Sequence, residues 1–267
     1  MDVFGFDAVL GDYRLSDYGL MLATFNFEDS YDIGLGMEVN EEYVADNPKP
    51  VYLGSKYNSK LTPTITIIKN EKITHNPYFE IDEYRDVLKK FTGYKGYRKF
   101  YIYHPGFIED VYFNLIVTGT AMEKSGGKVI GIRLNAECDS SYGWVDDIES
   151  FTTSSTNECI TINNESDDLN NYLYPKIIIS SISDITNYKL INLMENNRET
   201  IISSIEANDE ITIDSINDVI LSSSGNNLVN KFNYMFPRLI PGMNDFMISH
   251  PSTIIVEKSL PRKVGML

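Results

Sequence analysis

Val111-Tyr112-Phe113-Asn114-Leu115-Ile116-Val117, then Ser125-Gly126-Gly127-Lys128, then Ile130-Gly131-Ile132-Arg133-Leu134-Asn135-Ala136 is the stretch that decides the fold class. Two runs of β-branched and aromatic residues flank a glycine pair. Strands favour those residue types, and glycine accepts the positive φ of a tight hairpin turn. In the second run Ile130, Ile132, Leu134 and Ala136 share one face, the period of two expected of a half-buried strand. Upstream, Thr64-Ile65-Thr66-Ile67 reads the same way. Downstream the pattern returns in Lys176-Ile177-Ile178-Ile179, Lys189–Leu193, Thr200–Ile202, Glu210–Asp214, Asp245–Ile248 and Thr253–Val256. Short strands at near-regular spacing, separated by polar turns, predict a mainly β protein with a sandwich in its second half. Pro241-Gly242 predicts a type II turn.

One segment breaks the period. Ile81, Tyr84, Leu88 and Phe91 fall at helical spacing, so residues 82–92 are expected to form the one helix of the first half, capped by Asp82 and stopped at Gly93. Residues 141–158 turn rich in Ser, Thr, Asp and Asn just after Trp144, the only tryptophan. That shift places a domain boundary near 145–150, giving domains 1–145 and 146–267. A second polar stretch, Asn163 to Asn171, reads as a loop of the second domain.

Composition narrows the function. The net charge is −15 over 267 residues, and a surface this acidic repels polyanions, which disfavours specific nucleic-acid binding and anionic membranes. No apolar run approaches the roughly 20 residues of a spanning helix, and the start has no basic-then-apolar signal. Cys138 and Cys159 fit neither a redox pair nor a zinc site, and two reduced thiols are expected of a cytoplasmically made protein. His75, His104 and His250 show no metal-ligand spacing. Gly34-Leu35-Gly36 lacks the third glycine and the strand–turn–helix setting of a dinucleotide loop. No nucleophile elbow or phosphate loop is present, and no carboxylate pair stands out for hydrolysis. The expectation is therefore a non-enzymatic protein without cofactor or metal.

Charge is unevenly distributed. From Leu15 to Pro48 there is no Lys or Arg, while acids include Glu28, Asp29, Asp32, Glu38, Glu41 and Glu42. From Arg85 to Lys99 the sign reverses, with Arg85, Lys89, Lys90, Lys95, Arg98 and Lys99 against Asp86 alone. Tyr94, Tyr97, Phe100, Tyr101 and Tyr103 crowd the same region, and aromatic residues suit interfaces as well as cores. Two solvated faces are one reading. The other is a head-to-tail contact between copies, with Arg85, Lys89, Lys90, Tyr94, Tyr97 and Arg98 on one side of it.

The order of these features resembles the distal tail proteins of bacteriophages. Tyr13-Arg14-Leu15-Ser16-Asp17-Tyr18-Gly19-Leu20 resembles their opening, and the helix, the hairpin and the strand running to Trp144 are similar to the end of their first domain. Tyr174-Pro175-Lys176-Ile177, Asn208-Asp209-Glu210-Ile211-Thr212-Ile213-Asp214, Phe236-Pro237-Arg238-Leu239-Ile240-Pro241-Gly242-Met243-Asn244 and Arg262-Lys263-Val264-Gly265 resemble motifs of the second. The resemblance implies a barrel- or sandwich-like N-terminal domain with one helix that forms a hexameric ring, and a galectin-like or jelly-roll C-terminal sandwich projecting outward. It implies a place at the distal end of the virion tail, between the tail tube protein and the tail-tip or tail-associated lysin protein, with receptor-binding proteins as further partners. Acidic residues of the 15–48 stretch are then expected to face the DNA channel. A carbohydrate-binding module attaching the virion to host cell-wall glycans is the alternative, with Tyr172, Tyr174, Tyr188 and Tyr234 as its platforms.

Overall fold

The computed structural model describes residues 4–27, 37–45, 48–57, 60–103 and 110–263. The described residues divide into two compact units, one running to Trp144 and including Lys263, the other Val145–Arg262.

Unit 1 contains β1 (Asp7–Leu10), β2 (Tyr13–Arg14), a 3-10 turn (Leu15–Tyr18), β3 (Leu20–Phe27), β4 (Met37–Glu42), β5 (Val51–Tyr57), β6 (Pro63–Lys69), α1 (Glu71–Thr74), α2 (Ile81–Thr92), β7 (Arg98–Tyr103), β8 (Tyr112–Ser125) and β9 (Lys128–Cys138). The strands run β2-β1-β7-β8-β9-β6-β3 in one antiparallel sheet. The sheet curls until its ends meet: Gly5 N–H donates to Leu22 O at 2.8 Å and Leu22 N–H to Phe6 O at 2.9 Å. Closure of this kind protects sheet edges. The enclosed core is built by the alternating faces of the strands, including Leu22, Phe25, Ile65, Ile67, Phe100, Ile102, Phe113, Leu115, Ile132 and Leu134. The turn between β8 and β9 has Gly126 and Gly127 at φ 57° and 81°, the left-handed conformations that a two-residue hairpin loop demands.

α2 departs from expectation at its start. It begins at Ile81 and its N-cap is Glu80 rather than Asp82; the Glu83 carboxylate accepts the Glu80 N–H at 2.8 Å. The buried stripe is Tyr84, Val87 and Phe91, while Ile81 is 68% exposed. A second, one-turn helix, α1, precedes it. The core face of β6 ends on Lys69, buried and held by Glu83 (2.7 Å) and by the carbonyl of Tyr78 (2.9 Å). This ion pair ties α2 to the sheet.

The chain enters unit 2 through β10 (Gly143–Thr152), followed by β11 (Glu158–Asn164), β12 (Lys176–Ser180), β13 (Ile185–Asn192), β14 (Arg198–Ile205), β15 (Glu210–Asp214), β16 (Val219–Ser222), β17 (Gly242–Ile248) and β18 (Thr253–Arg262). Unit 2 has two sheets, β16-β15-β12-β18-β10 and β11-β17-β13-β14. Their inward residues, among them Ile162, Ile177, Ile179, Leu190, Ile202, Ile211, Ile213, Phe246, Ile248, Ile254 and Val256, form one core cluster, the signature of a β-sandwich.

The polar stretch 141–158 is largely strand. In β10 the acids Asp147 and Glu149 occupy partly buried positions, and Lys258 of β18 meets both. Its ammonium lies 2.9 Å from Asp147 and donates to Glu149 and, at 2.8 Å, to Asn163 O. The Lys258 side chain is wholly buried, so the charge is tolerable only because it is paired and hydrogen-bonded. The loop before β17 is clamped in the same spirit by Asn244. Its side chain donates to Ile240 O (2.8 Å) and Gly242 O (2.9 Å) and accepts from Ile240 N–H (2.9 Å). Gly242 sits at φ 84°, as the expected Pro-Gly turn requires.

Candidate assembly surfaces

The basic segment of unit 1 spans α2, the following turn and β7. Arg85 lies on the outer side of α2, loosely paired with Asp82 at 3.9 Å, and Lys89 is exposed. Lys90 donates to Asp86 at 2.5 Å and stands 3.8 Å over the Tyr18 ring. The Asp86 hydrogen bond raises the Lys90 pKa above its ordinary value, so this charge is held in place. Arg98 turns inward instead. It donates to the carbonyls of Lys90 (3.2 Å) and Phe91 (2.5 Å) and stacks 4.6 Å over Tyr94. A cation on the last carbonyls of a helix satisfies groups left without intrahelical partners and complements the helix dipole. Burial lowers the Arg98 pKa from its usual value.

Tyr94 shares its hydroxyl with Tyr13 at 3.0 Å, and the Tyr13 ring packs near Tyr18, Phe91 and Tyr94. The fold therefore gathers Tyr13, Tyr18, Lys90, Tyr94 and Arg98 into one aromatic–cation cluster. Tyr97 has other partners: its hydroxyl accepts from Lys60 at 2.8 Å, and Lys60 also donates to Glu137 at 2.8 Å. Arg14, a residue that sequence reasoning did not single out, joins Asp7 at 2.6 Å and stacks 4.7 Å over Tyr103. Only the three-dimensional pairing of β1 with β7 brings that pair together.

Of the acidic residues, Glu28, Asp29 and Asp32 lie outside the described residues, and Glu38 belongs to β4. Glu41 and Glu42 are exposed at the end of β4. β4 pairs with β5 alone among the described strands, and exposed Tyr43 and Val44 follow it. This hairpin arm carries apolar side chains that contribute to no described core.

Chemistry-bearing groups are otherwise accounted for structurally. Among the described residues no group of three or more His, Cys, Asp and Glu is placed to hold a metal. His75 ends α1 in the left-handed conformation at φ 52°, and His250 shares a 2.8 Å hydrogen bond with the Ser249 hydroxyl through Nδ1; His104 and the Gly34-Leu35-Gly36 stretch lie outside the described residues. Cys138 is buried and Cys159 exposed, both free, and burial pushes the Cys138 thiol up to about 12. Of the four tyrosines named as sugar platforms, Tyr188 is fully buried with its hydroxyl on Ser252 at 2.8 Å, so it cannot serve as one. Tyr172 and Tyr174 are partly exposed, with Arg238 stacked 3.8 Å over Tyr172 and joined to Glu195 at 2.7 Å. Tyr234 is exposed and its hydroxyl donates to Val229 O at 2.8 Å.

Comparison with known proteins places this architecture. No curated protein matches the chain by sequence. Among solved structures, the fold is similar to that of the Dit (gp 19.1) protein of phage SPP1, described as a paradigm of the hub adsorption apparatus in phages infecting Gram-positive hosts. The TM-score is 0.70 at 12% identity, covering 96% of this chain and 99% of that one. Chains of the phage p2 baseplate in its activated conformation match at TM-scores of 0.54 (with Sr, 10% identity) and 0.53 (with Ca, 9% identity), each covering 98% of this chain and 99% of the other. Residues 5–140 match the model of a phage tail protein N-terminal domain, and residues 142–257 that of a phage tail C-terminal domain. The chain thus belongs, in both of its domains, to a family of bacteriophage tail proteins, and its fold is that of the distal tail hub proteins.

Proposed function

We propose that this protein is the distal tail hub of its virion: six copies form a ring that joins the tail tube protein to the tail-tip or tail-associated lysin protein. Unit 1, residues 1–145 in the sequence reading, supplies the ring. Unit 2, read from the sequence as a galectin-like sandwich over 146–267, offers a dock for receptor-binding proteins. The observation that carries this reading is the match of 96% of the chain, both units included, to a solved hub protein. A ring requires a heterologous contact whose rotation closes, and the segregated charges of unit 1 suit one. Arg85 and Lys89 face solvent on α2, with Lys90, Tyr94, Tyr97 and Arg98 organising the surface beside them. The acidic stretch that includes Glu28, Asp29, Asp32, Glu38, Glu41 and Glu42 supplies the opposite sign, and the part of it facing the channel would repel DNA phosphates.

Native mass spectrometry of the full chain, with electron microscopy of assembled tails, tests this. Six-copy species that weaken with added salt are expected. A protein that stays single in solution and is absent from tail tips refutes the reading, and a ring with all those carboxylates on its outer rim removes the channel role. A second reading, attachment to host cell-wall glycans, is favoured by the half-exposed Tyr172 and Tyr174 beside Arg238. A glycan array probed with the full chain and with Tyr172→Ala decides it; equal or absent binding by both rejects it.

A further inference from the structure

Beside α2, unit 1 holds an open groove of about 570 Å³. Its floor is Phe79 and Tyr84, its walls include Ile81 and Met122, and Lys124 and Lys128 lie along it. The backbone bridge between Phe79 and Val129 fixes the floor against the β8–β9 hairpin. Ile81 and Met122 are 68% and 47% exposed, although the helical spacing of Ile81 with Tyr84 marks it for burial. The two lysines are exposed. Two lysines, Lys128 standing 4.3 Å over the Tyr78 ring, outnumber the one carboxylate of the lining, Glu80, and beside an apolar floor they suit a segment that pairs carboxylates with apolar side chains.

The chain itself carries such a segment. Glu41, Glu42, Tyr43 and Val44 are consecutive and all exposed, Tyr43 at 78%. They close the β4 side of a hairpin that pairs with no other described strand, and a two-stranded hairpin is at best marginally stable without something to pack on. Because these side chains are exposed and the groove is open, the arm of the same copy does not fill it. We infer that the groove of one copy receives the Glu41–Val44 segment of the next, Glu41 and Glu42 facing Lys124 and Lys128 and Tyr43 and Val44 covering Ile81 and Met122. Groove and arm are different surfaces, so the contact is head-to-tail, the kind that propagates around a ring. The inference rests on the ring reading and specifies its contact.

The test uses the full chain. Tyr43→Cys and Met122→Cys, introduced with Cys159→Ser, are expected to give disulfide-linked species of two or more copies on mild oxidation. In parallel, Lys124→Glu with Lys128→Glu is expected to weaken association at least tenfold in sedimentation, and Glu41→Lys with Glu42→Lys to restore it. If copies associate but the cysteines stay unlinked or link within one chain, and charge reversal leaves association unchanged, the groove contact is wrong while the ring stands. If the chain remains single in solution and in tails, the ring reading fails and this contact with it.

Discussion

Replacing Asp209 with Asn should destabilise unit 2 by about 2–3 kcal/mol at neutral pH, and the loss should disappear in acid. Asp209 sits just before β15 and is 4% exposed. Its burial alone would raise its pKa, but it accepts from the Ser222 hydroxyl (2.7 Å), the Ser223 hydroxyl (2.9 Å) and the Ser224 N–H (3.1 Å), and these bonds hold it down to about 2, against an ordinary 3.8. A tenfold change in proton affinity is worth about 1.36 kcal/mol, so the carboxylate contributes about 2.5 kcal/mol once ionised. The folded value lies below the unfolded one, so this stability is fully present above roughly pH 4. It is lost as pH falls through the folded value near 2. For a domain of about 100 residues the substitution should lower the midpoint of thermal unfolding by roughly 10 °C at pH 7. Calorimetry of wild type and Asp209→Asn at pH 7, 4, 3 and 2 gives the profile. A gap that stays constant from pH 7 to 2, or that is below about 0.5 kcal/mol throughout, refutes the assignment of the three bonds to an ionised carboxylate.

Lys258→Met should cost about 3 kcal/mol, because Asp147 and Glu149 lose the buried cation that neutralises both; a further Glu149→Gln should recover part of it in urea titrations, and no recovery would show that lost packing dominates. Arg98→Ala should speed amide exchange in the last turn of α2 and cost about 1–2 kcal/mol, with Arg98→Lys a poor substitute, since two guanidinium nitrogens serve two carbonyls; unchanged exchange would refute the capping role. A thiol reagent at pH 8 should modify Cys159 promptly and Cys138 only after unfolding, because burial pushes Cys138 up to about 12; two equally fast thiols would contradict that burial.

Periodicity and turn chemistry were enough to read the β8–β9 hairpin, β6 and most strands of unit 2, because each depends on neighbours in sequence: alternating side chains for the faces, Gly126-Gly127 and Pro241-Gly242 for the turns. The position of α2 was legible from spacing, but its start was not. Glu83 reaches back to Glu80 while also pairing with Lys69 from β6, and no local pattern encodes that second partner. β10 was not legible as a strand within the polar stretch that marked the domain boundary, because its partly buried acids are neutralised by Lys258, more than a hundred residues away. The assembly residues divide along the same line. That positive charge and tyrosines gather between Arg85 and Tyr103 is a property of the sequence. That Arg98 caps a helix, that Tyr97 joins Lys60, and that Ile81 is left bare over a groove depend on which strands lie side by side. Local conformational preference is written residue by residue, whereas a charge or an apolar side chain acquires its role only from groups that folding brings within a few ångströms of it.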